Sequence, residues 1–194
     1  MREHARRALA GALAAGLAGP AGAGDAPAEA QPFALRLSVE MAAHRRLIEV
    51  MERADHRPDA FATDGCSGGL STAWELIADL LPPFAETHEA RPPWESCCIA
   101  HDRTYHAAGG ARSVEDSYRA RFSADETLRA CVIETGVGRV EYLAQTYGLG
   151  AAQVEAAYGL IADAMFDAVR LGGGPCSGLP WRWGYGYPGC LIGE

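Results

Sequence analysis

No stretch of this 194-residue chain alternates apolar and polar residues for long enough to require a β-sheet, and no segment repeats another. Basic side chains are the minority charge, 17 against 25 acidic, giving a formal net charge of −8, and no basic run is longer than Arg6-Arg7 or Arg45-Arg46. Nucleic-acid recognition needs a clustered positive surface, so this balance argues against it, and equally against a binding mode that relies on anionic lipid headgroups. The stretch from Ala8 to Gly19 is too short and too rich in Ala and Gly to span a bilayer, so no transmembrane span is expected. What remains is one ordinary domain's worth of sequence, 48% apolar and able to build a core.

The beginning of the chain reads as an address. Arg2, Arg6 and Arg7 precede the apolar stretch, and Ala21-Gly22-Ala23 follows it, the charged, apolar, small-residue order of a secretory signal peptide over residues 1–23. Residues 24–32 read as a flexible leader and 33–194 as the domain. Cleavage after Ala23 would remove three Arg and one Glu, leaving about 171 residues at net −10. The expected location is outside the cytoplasm, periplasmic or extracellular. Cys66, Cys97, Cys98, Cys131, Cys176 and Cys190 all follow the leader, and an even number in an exported chain suggests three disulfides without saying which cysteines pair.

Helical periodicity dominates the domain. Leu37, Met41, His44, Ile48 and Met51 form one stripe ending before Pro58. Thr72-Ala73-Trp74-Glu75 reads as a capping box that opens a short helix stopped by Pro82-Pro83, and the chain from Pro83 to Pro93 reads as a loop. A helical pattern then runs from Trp94 to about Ala108, ended by Gly109-Gly110; Ser113 is placed to cap the next, whose apolar face includes Leu128, Cys131 and Val132. A last helix from about Gly150 to Leu171 carries Val154, Tyr158, Ile161, Met165 and Ala168 and stops at Gly172-Gly173-Gly174. The fold class is therefore all-α. The tail, 175–194, is different: Cys176 and Cys190 bracket Leu179, Trp181, Trp183, Tyr185 and Tyr187, aromatics that suit either a lipid- or ligand-facing patch or a cover over the core.

Chemistry concentrates in Trp94-Glu95-Ser96-Cys97-Cys98-Ile99-Ala100-His101-Asp102-Arg103-Thr104-Tyr105. On a helix Cys98, His101 and Tyr105 line up, with Asp102 about 100° round from His101, so an imidazole, a carboxylate and a phenol approach one cleft. Adjacent Cys97 and Cys98 point in different directions and call for two distant partners, which would hold the histidine rigidly.

This segment resembles the Cys-Cys-x-x-His-Asp motif of the secreted phospholipases A2, with Tyr105 at the matching position. Upstream, Thr63-Asp64-Gly65-Cys66 with Gly68-Gly69 is similar to that family's calcium loop, and Asp125, six residues before Cys131, matches its second aspartate. The resemblance covers residues 64–131, about a third of the chain. It departs from the animal members at Thr104, where many carry a cysteine, and at Ser67, where a glycine is usual. Beyond Val132 it finds no counterpart.

The resemblance implies disulfide-linked antiparallel helices of phospholipase A2 type with a Gly-rich calcium loop. It implies bridges Cys66–Cys98 and Cys97–Cys131, and Cys176–Cys190 for the remaining pair. It makes His101 the general base, Asp125 the carboxylate that fixes its tautomer, and Tyr105 a hydroxyl holding Asp125. Asp102, Asp64 and the backbone of Gly65, Ser67 and Gly69 become ligands of a calcium ion that polarises an ester carbonyl. The implied activity is calcium-dependent hydrolysis of a fatty-acyl ester of glycerophospholipids, with a phospholipid or membrane surface as partner, and the chain is expected to be a monomer. Three rival readings stand beside this one: a catalytically silent secreted module of the same fold that recognises lipid surfaces or a protein, a zinc site from Cys97, Cys98, His101 and His106, and Asp116 in place of Asp125. A chain of this charge should meet a bilayer through apolar contact and calcium, so calcium-free flotation with anionic vesicles should leave it unbound, and tight binding there would contradict the expectation.

Overall fold

The computed structural model describes residues 30–53, 57–66 and 70–191, with side chains from Leu35 onward. The expected signal peptide, residues 1–23, and the Ser67, Gly68 and Gly69 part of the loop lie outside the described residues. Among the described residues there are six α-helices: α1 (Ala30–Met51), α2 (Leu70–Leu80), α3 (Pro82–His88), α4 (Glu95–His106), α5 (Val114–Tyr147) and α6 (Ala151–Gly172), with a 3₁₀ turn at Ala108–Gly110. No strand occurs among the described residues. No described helix is long and apolar enough to cross a membrane.

Two of these elements differ from the sequence expectation. The stretch after Pro82 is not a loop but the short helix α3, because Pro82 and Pro83 sit in its first turn, where a missing N–H costs nothing. Thr72 is not a cap: α2 already starts at Leu70, so Thr72 lies inside its first turn. The Ser113 cap is as expected, its side chain accepting from the Asp116 N–H. At the other end of α5, Gly148 adopts φ 64° and closes the helix with its N–H on Ala144 O.

The contacts fix how the helices run. Along α4 and α5, Cys97 meets Cys131, His101 meets Asp125 and Tyr105 meets Arg121, so one index rises as the other falls and the pair is antiparallel. Arg129 with Asp163 and Asp125 with Arg170 give the same sense for α5 and α6. Glu40 with Arg121 and His44 with Ser117 give it for α1 and α5. Helix α5 is therefore the central rod, and the others lie along it. All three disulfides, Cys66–Cys98, Cys97–Cys131 and Cys176–Cys190, are formed.

Two buried clusters line this rod. One gathers Trp94, Cys97, Cys98, Leu128, Val132, Val154 and Tyr158, and the other gathers Leu47, Val50, Tyr105, Ala124 and Trp183. His101 and Asp125 fall between them, each flanked along its helix by members of both. The tail aromatics divide their labour: Trp183 is wholly buried, ring to ring with Tyr105 at 4.9 Å and donating to Ser117 Oγ at 2.9 Å, whereas Trp181 is only half-buried. Helix α2 is turned against the usual rule. Ser71, Trp74 and Ala78 face inward, while Leu76, Ile77 and Leu80 are exposed at 59%, 41% and 68%.

Close approach of α5 and α6 depends on Gly136, where an added Cβ would collide with Cβ and the ring root of Tyr158. Gly138, on the same helix, has open space around it. Gly136→Ala should therefore lower the thermal midpoint, since overpacking costs about 1–3 kcal/mol against about 1 kcal/mol of helix propensity regained. Gly138→Ala should raise it by the propensity alone. Thermal melts of the two variants check both signs.

Candidate active site

Helix α4 presents two faces, and the cysteine doublet divides them. Cys97, His101 and Tyr105, each four residues apart, face α5; Cys98 and Asp102 face the segment that carries Thr63 and Cys66. This corrects the helical-wheel expectation, which set Cys98 rather than Cys97 in line with His101. Glu95 in the first turn and Arg103 in the last complement the helix dipole. Two disulfides on adjacent residues then fix both position and rotation of the helix.

His101, 7% exposed, makes a hydrogen bond from Nε2 to Asp125 Oδ1 at 2.9 Å. The Tyr105 hydroxyl donates to the same oxygen at 2.7 Å. Asp125 is fully buried, and its carboxylate requires Nε2 to carry the proton in the neutral ring, so Nδ1 is the basic nitrogen. Nδ1 lies 3.9 Å from Asp102 Oδ1. Burial by itself would depress the imidazolium, but hydrogen bonding and negative charge from Asp102 and Asp125 outweigh it and hold His101 above its ordinary value. Burial pushes the Tyr105 phenol well upward, so it stays a neutral donor. Asp116 is exposed at the start of α5, where its backbone N–H donates to Ser113 Oγ, and the carboxylate that His101 meets is that of Asp125.

Behind the dyad lies a charge cluster that the sequence reading missed. Arg170 donates from Nη1 to Asp125 Oδ2 at 3.0 Å and from Nη2 to Glu40 Oε1 at 2.7 Å. Arg121, 1% exposed, also donates to Glu40, to the Tyr105 hydroxyl at 3.2 Å, and to the backbone carbonyls of Val169 and Arg170 at 2.8 and 2.9 Å. Burial would raise the Glu40 carboxyl, but His44, Arg121 and Arg170 together lower it to about 2. No motif in the sequence marks Arg121 or Arg170. Only the packing of three helices makes them neighbours.

The other face holds the candidate metal ligands. The Thr63 hydroxyl donates to Asp102 Oδ2 at 2.6 Å and accepts from the Gly65 N–H at 3.1 Å. Gly65 has φ 77°, a left-handed turn that brings this segment back against α4. The exposed Asp64 adjoins it, and Tyr185 of the tail pins the segment by donating to Ala62 O at 2.7 Å. Burial first, then the charges of Asp102 and Asp64, push the Tyr185 phenol up to about 12. The structure thus joins Asp102 and Gly65 with Asp64 alongside; the expected ligands Ser67 and Gly69 lie outside the described residues. No group of three or more His, Cys, Asp and Glu side chains suited to a metal occurs among the described residues. A zinc site from the doublet is ruled out because Cys97 and Cys98 are both in disulfides and hold no thiolate.

A cavity of about 400 Å³ opens onto His101 and Asp102. Its wall is almost wholly apolar: Leu70 from α2, Leu128 from α5, Ile161, Met165, Ala168 and Val169 from α6, and Trp181 from the tail. The period of the apolar residues in α6 is visible in sequence, but its role as one side of this slot is not. A second hollow of about 410 Å³ lies across the ring of His101, walled mainly by small residues of α4 and α5. No protein-family model matches the chain, and no curated protein or solved structure matches it.

Glu40 gives a test of the charge cluster through acid stability. Its folded pKa lies below the ordinary 4.5, so it contributes stability that is fully present above that value and is lost as the pH falls toward 2. Its arginine partners remain charged throughout. Thermal midpoints of the wild type should therefore drop more steeply between pH 4.5 and pH 2 than those of Glu40→Gln, and parallel curves would contradict the assignment.

Proposed function

We propose that this chain is an exported, calcium-dependent hydrolase of phospholipase A2 type, which cleaves a fatty-acyl ester of a glycerophospholipid. The observation that carries the reading is the division of labour on His101. One ring nitrogen is committed to a buried carboxylate that also holds a tyrosine hydroxyl, while the ring borders an apolar slot of about 400 Å³. Three disulfides support an oxidising compartment. The three antiparallel helix pairs and the doublet's two bridges support the fold resemblance.

The chemistry follows from these parts. His101 Nδ1 takes a proton from a water molecule as its oxygen bonds to the ester carbonyl carbon, and Asp125 balances the charge that forms on the ring. Collapse of the tetrahedral adduct breaks the bond to the glycerol oxygen, which receives the proton back from His101. The products are a fatty acid and a lysolipid. Asp102, Asp64 and backbone carbonyls near Gly65 offer the hard oxygen donors that suit calcium, and the Thr63 and Tyr185 hydrogen bonds preorganise that segment. Bound there, calcium would supply polarisation of the ester carbonyl and neutralisation of the oxyanion.

Presentation of the lipid has a physical basis in α2. Its exposed Leu76, Ile77 and Leu80 share a helix with Leu70 at the slot, so apolar surface runs from the cavity outward. A bilayer or micelle would cover that surface without basic residues.

The deciding assay is fatty-acid release from phosphatidylcholine vesicles with calcium, with chelator, and for His101→Gln. The wild type should be active only with calcium, and the variant should lose about 10²–10⁴-fold. The Leu76→Glu, Leu80→Glu double variant should lose about tenfold or more on vesicles while retaining activity on dispersed short-chain lipid. Folded wild-type protein that releases nothing under any of these conditions would sink the enzyme and leave the slot as a lipid-binding module. Equal release from His101→Gln would move the base elsewhere.

A further inference from the structure

We infer that Arg170 is a positioning residue for the His101–Asp125 pair: it holds Asp125 Oδ2 with one guanidinium nitrogen, is itself held by Glu40 of α1 through the other, and so keeps Oδ1 turned toward His101 and Tyr105. The inference rests on the reading of His101 as the base. A carboxylate can rotate about its Cβ–Cγ bond, and both of the donors that matter to the base use the same oxygen. Arg170 occupies the opposite oxygen and thereby removes that freedom.

Arg170 is suited to this because it is fixed at both ends. Arg121 donates to the backbone carbonyls of Val169 and Arg170, which locks the last turn of α6 from which the side chain projects. At its tip the guanidinium lies 5.7 Å from the Phe122 ring and 6.0 Å from the Tyr118 ring. The fork reaches two carboxylates at once, which a lysine ammonium on a flexible stem does less well. Charge gives the second reason. Asp125 and Glu40 against Arg121 and Arg170 sum to zero, so the buried aspartate is compensated; without Arg170 the cluster would hold two anions and one cation, a costly state in a buried setting.

The alternative is that Arg170 merely clamps α6 to α1 and matters for stability alone. Two readouts separate the roles: kcat against KM on phosphatidylcholine, and the tautomer of His101 read from imidazole ¹H–¹⁵N correlation spectra of the neutral ring. The imidazole spectrum needs neither lipid nor calcium. Arg170→Gln should lower kcat by about tenfold or more with KM within about twofold, and should replace the pure Nε2–H tautomer of the wild type by a mixture. Glu40→Gln should move both readouts in the same direction by less. Arg129→Gln cuts a different tie between α5 and α6, Arg129 to Asp163, and should leave both unchanged.

An Arg170→Gln variant with a wild-type tautomer and kcat within about twofold would overturn the inference, whatever its thermal midpoint. If that variant does not fold, Arg170→Lys decides by the same two measurements: a mixed tautomer supports the positioning role and a pure one overturns it. A wild type that hydrolyses no lipid sinks the hydrolase reading alone, because the imidazole spectra still report whether Arg170 holds the pair.

Discussion

A fully buried carboxylate must be compensated by donors or it cannot stay charged, and Asp125 is that carboxylate here. Its three partners, His101, Tyr105 and Arg170, come from α4 and α6, while it sits on α5. Arg170 in turn needs Glu40 on α1. Four helices are therefore tied to one anion, and displacement of any of them exposes or strands a charge. The disulfides act on the same arrangement from outside: Cys97–Cys131 joins α4 to α5 one turn away from His101, and Cys66–Cys98 brings the Thr63–Gly65 segment to Asp102.

This dependence explains which parts of the molecule could be read from sequence. Interactions within one helix or between residues of a fixed motif leave a mark in the order of the chain. The Cys97-Cys98 doublet, His101, Tyr105 and the Ser113 cap are of that kind, and the structure finds them where the spacing put them, apart from the exchange of Cys97 for Cys98 on the face of His101. Asp125 was reachable only through the family resemblance, whose second aspartate stands six residues before a cysteine, an interval that α5 spans here. Glu40, Arg121 and Arg170 are far apart in sequence and belong to three helices, so no local period relates them. A charged residue on an amphipathic helix reads as solvated unless the packing partner is known.

The same limit applies to α6 and to the tail. The apolar stripe of α6 was legible, but a stripe says that a face is covered and not by what. Here Tyr158 meets Gly136 while Ile161, Met165 and Val169 instead border the cavity at His101. The tail's aromatics likewise admitted two readings, and each holds for different residues: Trp183 is core, and Trp181 is a wall of the slot. The segment from Trp181 to Tyr187 runs through turns rather than an extended strand, so rings two residues apart need not share a side, and composition alone does not assign one role to all.

Joining the slot to the buried cluster in this way has a chemical consequence. Val169 lines the cavity, and its own carbonyl accepts from Arg121; the next residue, Arg170, holds Asp125. The wall that would contact an acyl chain and the group that orients the base are thus consecutive residues on one helical turn. Shifts of α6 that widen the slot would also draw the guanidinium away from Asp125. Apolar burial of a lipid chain and alignment of His101 then favour the same position of the helix, so binding that settles α6 against α5 would also sharpen the geometry at the imidazole. The Gly136 crossing sets the distance at which this happens, because the contact with Tyr158 allows α5 and α6 to approach closely only while that position lacks a side chain.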